Sequence, residues 1–82
     1  MDICKEIEDA VVAGRIQDVK NLTQTALDDN MPPMDILDQG LVKGLEIIGG
    51  KFERQEIFVP ELLLAAMAMK EGIALLDRKS VV

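Results

Sequence analysis

Apolar residues recur at helical spacing along nearly the whole chain, and no stretch of four or more residues alternates cleanly between apolar and polar with β-branched or aromatic enrichment. That pattern leaves helices and no strands. Ile3, Ile7, Ala10 and Val11 mark a first helix over about residues 2–13, stopped by Gly14, which accepts the left-handed conformation at low cost. Ile16, Val19, Leu22, Ala26 and Leu27 mark a second over about residues 16–29. Met31-Pro32-Pro33 is a break, with Pro33 suited to open a third helix that runs to about residue 53 through Ile36, Leu37, Leu41, Leu45, Ile48 and Phe52. A polar loop, Arg54-Gln55-Glu56, precedes a fourth helix over about residues 60–78, opened by Pro60. Short connections then predict an all-α fold, a four-helix antiparallel bundle.

Two features of that bundle need a reason. Gly40, Gly44, Gly49 and Gly50 lie in one helix, where each costs about 1 kcal/mol relative to Ala. Gly40 and Gly44, one turn apart, admit the close approach of a neighbouring backbone or of a flat group, and a tight helix crossing is the favoured reading. Gly49-Gly50 can bend or end the helix. The second feature is the segment from Ile57 to Met69, in which twelve of thirteen residues are apolar and Glu61 carries the only charge. At about 100° per residue, Leu62, Ala66, Met69, Ile73 and Leu76 form the seam expected to face the core. Leu64, Ala68 and Leu75 then point away, with Phe58, Ala65 and Gly72 on a flank. The alternative is a central helix buried all round, but 82 residues build little core, so uncovered apolar surface, and hence a binding site, is expected.

Composition removes most chemistries. Fifteen acidic against nine basic residues give a net charge of −6, the wrong sign for neutralising phosphates, so nucleic acid is not an expected partner. Nine of the acids and three of the bases lie in residues 1–38, whereas residues 39–82 balance at six and six. With no His or Tyr, one Cys and one Ser, the chain cannot assemble a Ser-His or Cys-His pair, a His base or a zinc site. No Gly-Lys-Ser/Thr follows a strand to make a phosphate loop. No catalytic residue and no metal ligand are assigned. The absence of an apolar run near the roughly 18 residues of a membrane span, and of a basic-then-apolar opening, predicts a soluble, cytoplasmic chain without membrane contact.

The stretch Gly40-Leu41-Val42-Lys43-Gly44-Leu45-Glu46-Ile47-Ile48-Gly49-Gly50-Lys51-Phe52-Glu53, then Glu56-Ile57-Phe58-Val59-Pro60-Glu61-Leu62-Leu63 and the Ala65-Ala66-Met67-Ala68-Met69 run, resembles the helical cap of cobalamin-dependent methyltransferases. The same module precedes the cobalamin-binding domain of methionine synthase and of the corrinoid proteins of methanol, methylamine and O-demethylase systems. The resemblance covers essentially the whole chain, Ala13-Gly14-Arg15 falling at an inter-helix turn of the family. It implies that residues 1–82 are one cobalamin-cap domain, a free-standing cap or, as expected here, a fragment of a longer corrinoid protein. It implies a non-catalytic role, shielding the upper face of methylcobalamin during methyl transfer. Phe58 matches the shielding aromatic, and Leu62, Ala65 and Ala68 are implied to line the shallow apolar surface on which the corrin rests. The cobalt ligand in this family comes from an Asp-x-His-x-x-Gly motif in a following α/β domain, so cobalamin is expected only with such a domain. Implied partners are that domain and methyltransferase subunits.

A rival reading is a stand-alone acidic helical module that dimerises or docks a partner helix. In either case the isolated chain is expected to form a homodimer through Phe58, Leu64, Ala65 and Ala68.

Overall fold

The computed structural model describes residues 2–80. Asp2 opens α1 (Ile3–Ala13), its Oδ1 accepting the Cys4 N–H at 3.0 Å, the capping role for which a short side-chain oxygen is suited. Gly14 closes it at φ 71°, its N–H donating to Val11 O while Arg15 N–H reaches Ala10 O at 2.9 Å. A Cβ there would also stand 3.0 Å from Leu64 Cβ, a tight contact, so both the left-handed φ and the nearness of α4 favour glycine at this turn.

α2 (Ile16–Asp28) follows at once and ends through Asn30, at φ 64°, a residue type that tolerates the left-handed region. After Pro32, α3 occupies residues 33–53 as an α-helical turn Pro33–Ile36, a π-helical stretch Leu37–Leu41 and an α-helix Val42–Glu53. α4 (Val59–Ser80) is the longest element and accounts for most of the 40 Å long axis, at about 1.5 Å per residue. No strand occurs among the described residues, and the fold is the expected all-α four-helix bundle.

α1 packs against both α2 and α3, while α4 lies mainly along α2 and also touches α3. Ile7 and Val11, Val19, Ala26 and Leu27, Ile36, Leu41 and Ile48 meet in the centre with Ala65, Ala68 and Leu76 of α4. The glycines of α3 resolve in favour of the helix crossing. A Cβ on Gly40 would lie 3.0 Å from Ile7 Cγ2, and one on Gly44 would lie 2.7 Å from Val11 Cβ and 3.1 Å from Glu8 O. They admit α1, not a flat ligand. Gly49-Gly50 does not end α3, which continues to Glu53.

The inward line of α4 differs from the expected seam. Ala65, Ala68, Gly72 and Leu76 are buried; Leu62, Met69 and Ile73 are half-buried, and Ala66 is exposed. Relative to the seam through Leu62 and Ala66, the buried face is turned by roughly 70° at 100° per residue. Small residues point inward because α4 lies close to its neighbours: a Cβ on Gly72 would be 2.8 Å from Leu41 Cδ2 and 3.3 Å from Val19 Cγ1.

Candidate functional site

The turn from α3 into α4 brings together three exposed large apolar residues, Phe52, Phe58 and Val59. α3 closes through Gln55 at φ 63°, with Gln55 N–H on Phe52 O at 3.0 Å and Glu56 N–H on Lys51 O at 2.8 Å. This is the double closure that usually employs glycine. Arg54 and Glu56 pair across the turn, and the guanidinium hydrogen bond holds the Glu56 carboxyl below its ordinary pKa. Phe58 then serves as the N-cap of α4. Its carbonyl accepts from Glu61 N–H at 3.0 Å and Leu62 N–H at 3.2 Å, and its own N–H donates to Glu61 Oε2 at 3.0 Å. Glu61 is therefore the reciprocal half of a capping box, with Pro60 placed where its missing N–H leaves no bond unmade. α4 begins at Val59, one residue before the expected Pro60.

Phe58 is 76% exposed. It borders a groove of about 550 Å³ lined by Phe52, Glu53, Gln55, Ile57, Phe58 and Val59. From that groove Val59, Leu63 and Met67, four residues apart and each more than half exposed, continue along the outer face of α4. Single exposed hydrophobics need no explanation, whereas a contiguous apolar stripe of this kind commonly marks an interaction site in folded proteins. A second groove, about 540 Å³ between α1 and α2, is of another kind, bordered by Glu6, Asp9, Arg15 and Asp18.

Of the four residues assigned to a ligand from sequence, the fold leaves two in reach. Phe58 is open, and Leu62 packs on the core with part of its surface exposed. Ala65 and Ala68 are both 0% exposed in the bundle core, so they line no surface, and their assignment to a ligand-bearing or dimer-forming face is corrected here. Leu64, which was to share that dimer face, packs at the α1–α2 turn beside Gly14 while retaining 45% exposure. Phe52, Val59, Leu63 and Met67 were not assigned from sequence; the i, i+4 spacing of the last three was the available signal. Cys4 is buried with its Sγ 3.5 Å from Met31 Sδ, and burial, reinforced by Asp2 and Asp35, pushes its thiol pKa up, which suits packing and not nucleophilic chemistry. Among the described residues no group of three or more His, Cys, Asp or Glu side chains is placed to hold a metal ion. Nor is any helix among them long and apolar enough to cross a membrane.

Residues 3–77 match the family model described as B12 binding domain. The chain belongs to this family, the helical cap domain of corrinoid proteins. The cap is 41% identical over 75 residues to monomethylamine corrinoid protein 2 of Methanosarcina acetivorans, covering 92% of this chain and 35% of that protein. It is 35% identical over 77 residues to a corrinoid protein of Desulfitobacterium hafniense, covering 94% and 36%. Among solved structures, the Methanosarcina barkeri monomethylamine corrinoid protein superposes with a TM-score of 0.88 at 32% identity, covering 90% of the cap and 35% of that chain. The cap thus spans about a third of the length of these relatives.

Proposed function

We propose that this chain is the cap of a corrinoid methyl-carrier protein and that its α3–α4 turn shields the upper face of methylcobalamin. The observation that carries the reading is the exposed Phe58 at the edge of an apolar groove, on a chain with only two aromatic residues. The names of the relatives support a corrinoid as the ligand.

The residues present suit contact and not coordination: Phe58, Val59 and Phe52 offer carbon surface, and the 82 residues contain no imidazole for cobalt. Bound methylcobalamin supplies the cobalt–methyl bond from which the methyl group is transferred. Phe58 and Val59 would exclude water from that side, and covering a ring of this size is worth about 1.5–3 kcal/mol. Leu62 would contribute only its exposed fraction. The cap would act without catalytic groups of its own, alongside a cobalamin-binding α/β domain and methyltransferase subunits in the cytoplasm. The same stripe would let the chain pair with a second copy when nothing else covers it.

The test is Phe58→Ala in a holoprotein containing this cap. Folding by circular dichroism should persist, while photolysis of bound methylcobalamin should accelerate severalfold. An unchanged photolysis rate in a folded, loaded variant removes the reading.

A further inference from the structure

Phe58 has a ring held by very little and a backbone held by a great deal. With Phe58 76% exposed, side-chain packing does little to fix the direction of its ring, so its placement follows from the main chain at the start of α4. There the N–H is bound by Glu61 Oε2 at 3.0 Å, and the carbonyl takes the Glu61 and Leu62 N–H groups. The residue before a proline resists helical geometry, and proline favours the first helical position, so a start at Pro60 with Phe58 and Val59 outside the helix is the ready alternative. The Glu61 carboxylate bond works against that alternative by joining Phe58 to the first turn.

We infer that Glu61 is a positioning residue: its carboxylate fixes the helix start at Val59 and thereby aims Phe58 at the surface it covers. The inference rests on the cap reading above and concerns how that site is held. Glu61 also borders a small cavity of about 190 Å³ with Val12, Gly14, Lys51, Ile57 and Leu64, which places it where the α1–α2 turn meets α4.

The first readout needs no cofactor. In the 82-residue chain, Glu61→Ala should speed amide hydrogen exchange at Phe58 roughly five- to tenfold, the ratio one helix cap supports, while the core amides of α1 remain protected. Glu61→Gln keeps a side-chain carbonyl that accepts the same bond and should restore most of the protection. The second readout is photolysis of methylcobalamin in a holoprotein containing this cap. Glu61→Ala should accelerate it, by less than Phe58→Ala does, and should add nothing in the Phe58→Ala background. Unchanged exchange at Phe58, or equal acceleration with and without the Phe58 ring, overturns the inference and leaves the cap reading standing. If Phe58→Ala itself has no effect on photolysis, the cap reading fails and takes the inference with it.

Discussion

Thr23 and Phe58 are opposite exceptions to the rule that polar groups face water and apolar groups avoid it. Thr23 is fully buried in α2, and its Oγ1 has no hydrogen-bond partner among the described residues. A hydroxyl desolvated without compensation costs about 1–3 kcal/mol by mutational measures, whereas an isosteric apolar group incurs none of that penalty. Thr23→Val should therefore raise stability by about 1 kcal/mol in urea denaturation at an unchanged m-value. A loss of stability would mean that the hydroxyl is satisfied after all. For Phe58 the expectation is reversed. Truncating Phe58, a residue 76% exposed, to Ala should change stability by no more than about 0.5 kcal/mol in the same urea denaturation, and a larger loss would mean that the side chain supports the bundle itself.

At the level of elements, the sequence disclosed where the helices lie better than how they are turned. Gly14, Pro33 and the Asp29-Asn30 end of α2 are chemical punctuation, and each sits at the boundary its chemistry suggests. α4 had no such guide to its rotation, because a run apolar on nearly every side has no polar face to define its phase. Ranking by hydrophobicity placed Leu62, Ala66 and Met69 inward, yet close packing selected the small residues Ala65, Ala68 and Gly72 instead. Two assigned site residues were lost for that reason. Phe58 is exposed because it lies on the turn, ahead of that helical phase. The π-helical stretch Leu37–Leu41 left no sequence signal beyond the glycine within it. The helix glycines themselves provide a direct test of packing against propensity. Beyond its own helix, no atom of the described residues lies within 4 Å of where a Cβ on Gly49 would stand, so Gly49→Ala should stabilise by about 0.5–1 kcal/mol through propensity alone. Gly44 faces Val11 Cβ at 2.7 Å and the α1 backbone at 3.1 Å. Overpacking of this kind costs about 1–3 kcal/mol, so Gly44→Ala should lower stability despite the same propensity gain. Thermal denaturation of the two variants, with opposite signs expected, checks the α1–α3 crossing; a stabilised Gly44→Ala would refute it.

On the scale of the whole molecule, charge and apolar surface are segregated along the chain, and the two together set what self-association would require. The first 38 residues hold nine acids to three bases and keep α1 and α2 outwardly anionic, while residues 39–82 are balanced and carry Phe58, Val59, Leu63 and Met67. Two copies meeting along the outer face of α4 would therefore bury the apolar stripe while the more acidic half need not be brought into the contact. About 400 Å² of apolar surface covered on each copy corresponds to roughly 20 kcal/mol gross per dimer at about 25 cal/mol per Å². Lost translational and rotational freedom and side-chain ordering remove roughly 4–15 kcal/mol or more, and at the upper end of that cost the net is about 5 kcal/mol, a dissociation constant on the order of 100 µM. A self-complementary stripe closes on itself as a two-fold dimer and not as an open chain of subunits. Leu63→Glu combined with Met67→Glu introduces four like charges into that contact, two from each copy, at positions more than half exposed in the monomer. The fold should tolerate the change and the dimer should not. Sedimentation of the 82-residue chain at about 100 µM should show a monomer–dimer equilibrium that the double variant abolishes. A strictly monomeric wild type, or a dimer indifferent to both glutamates, would mean that the stripe is not self-complementary and that only another partner covers it.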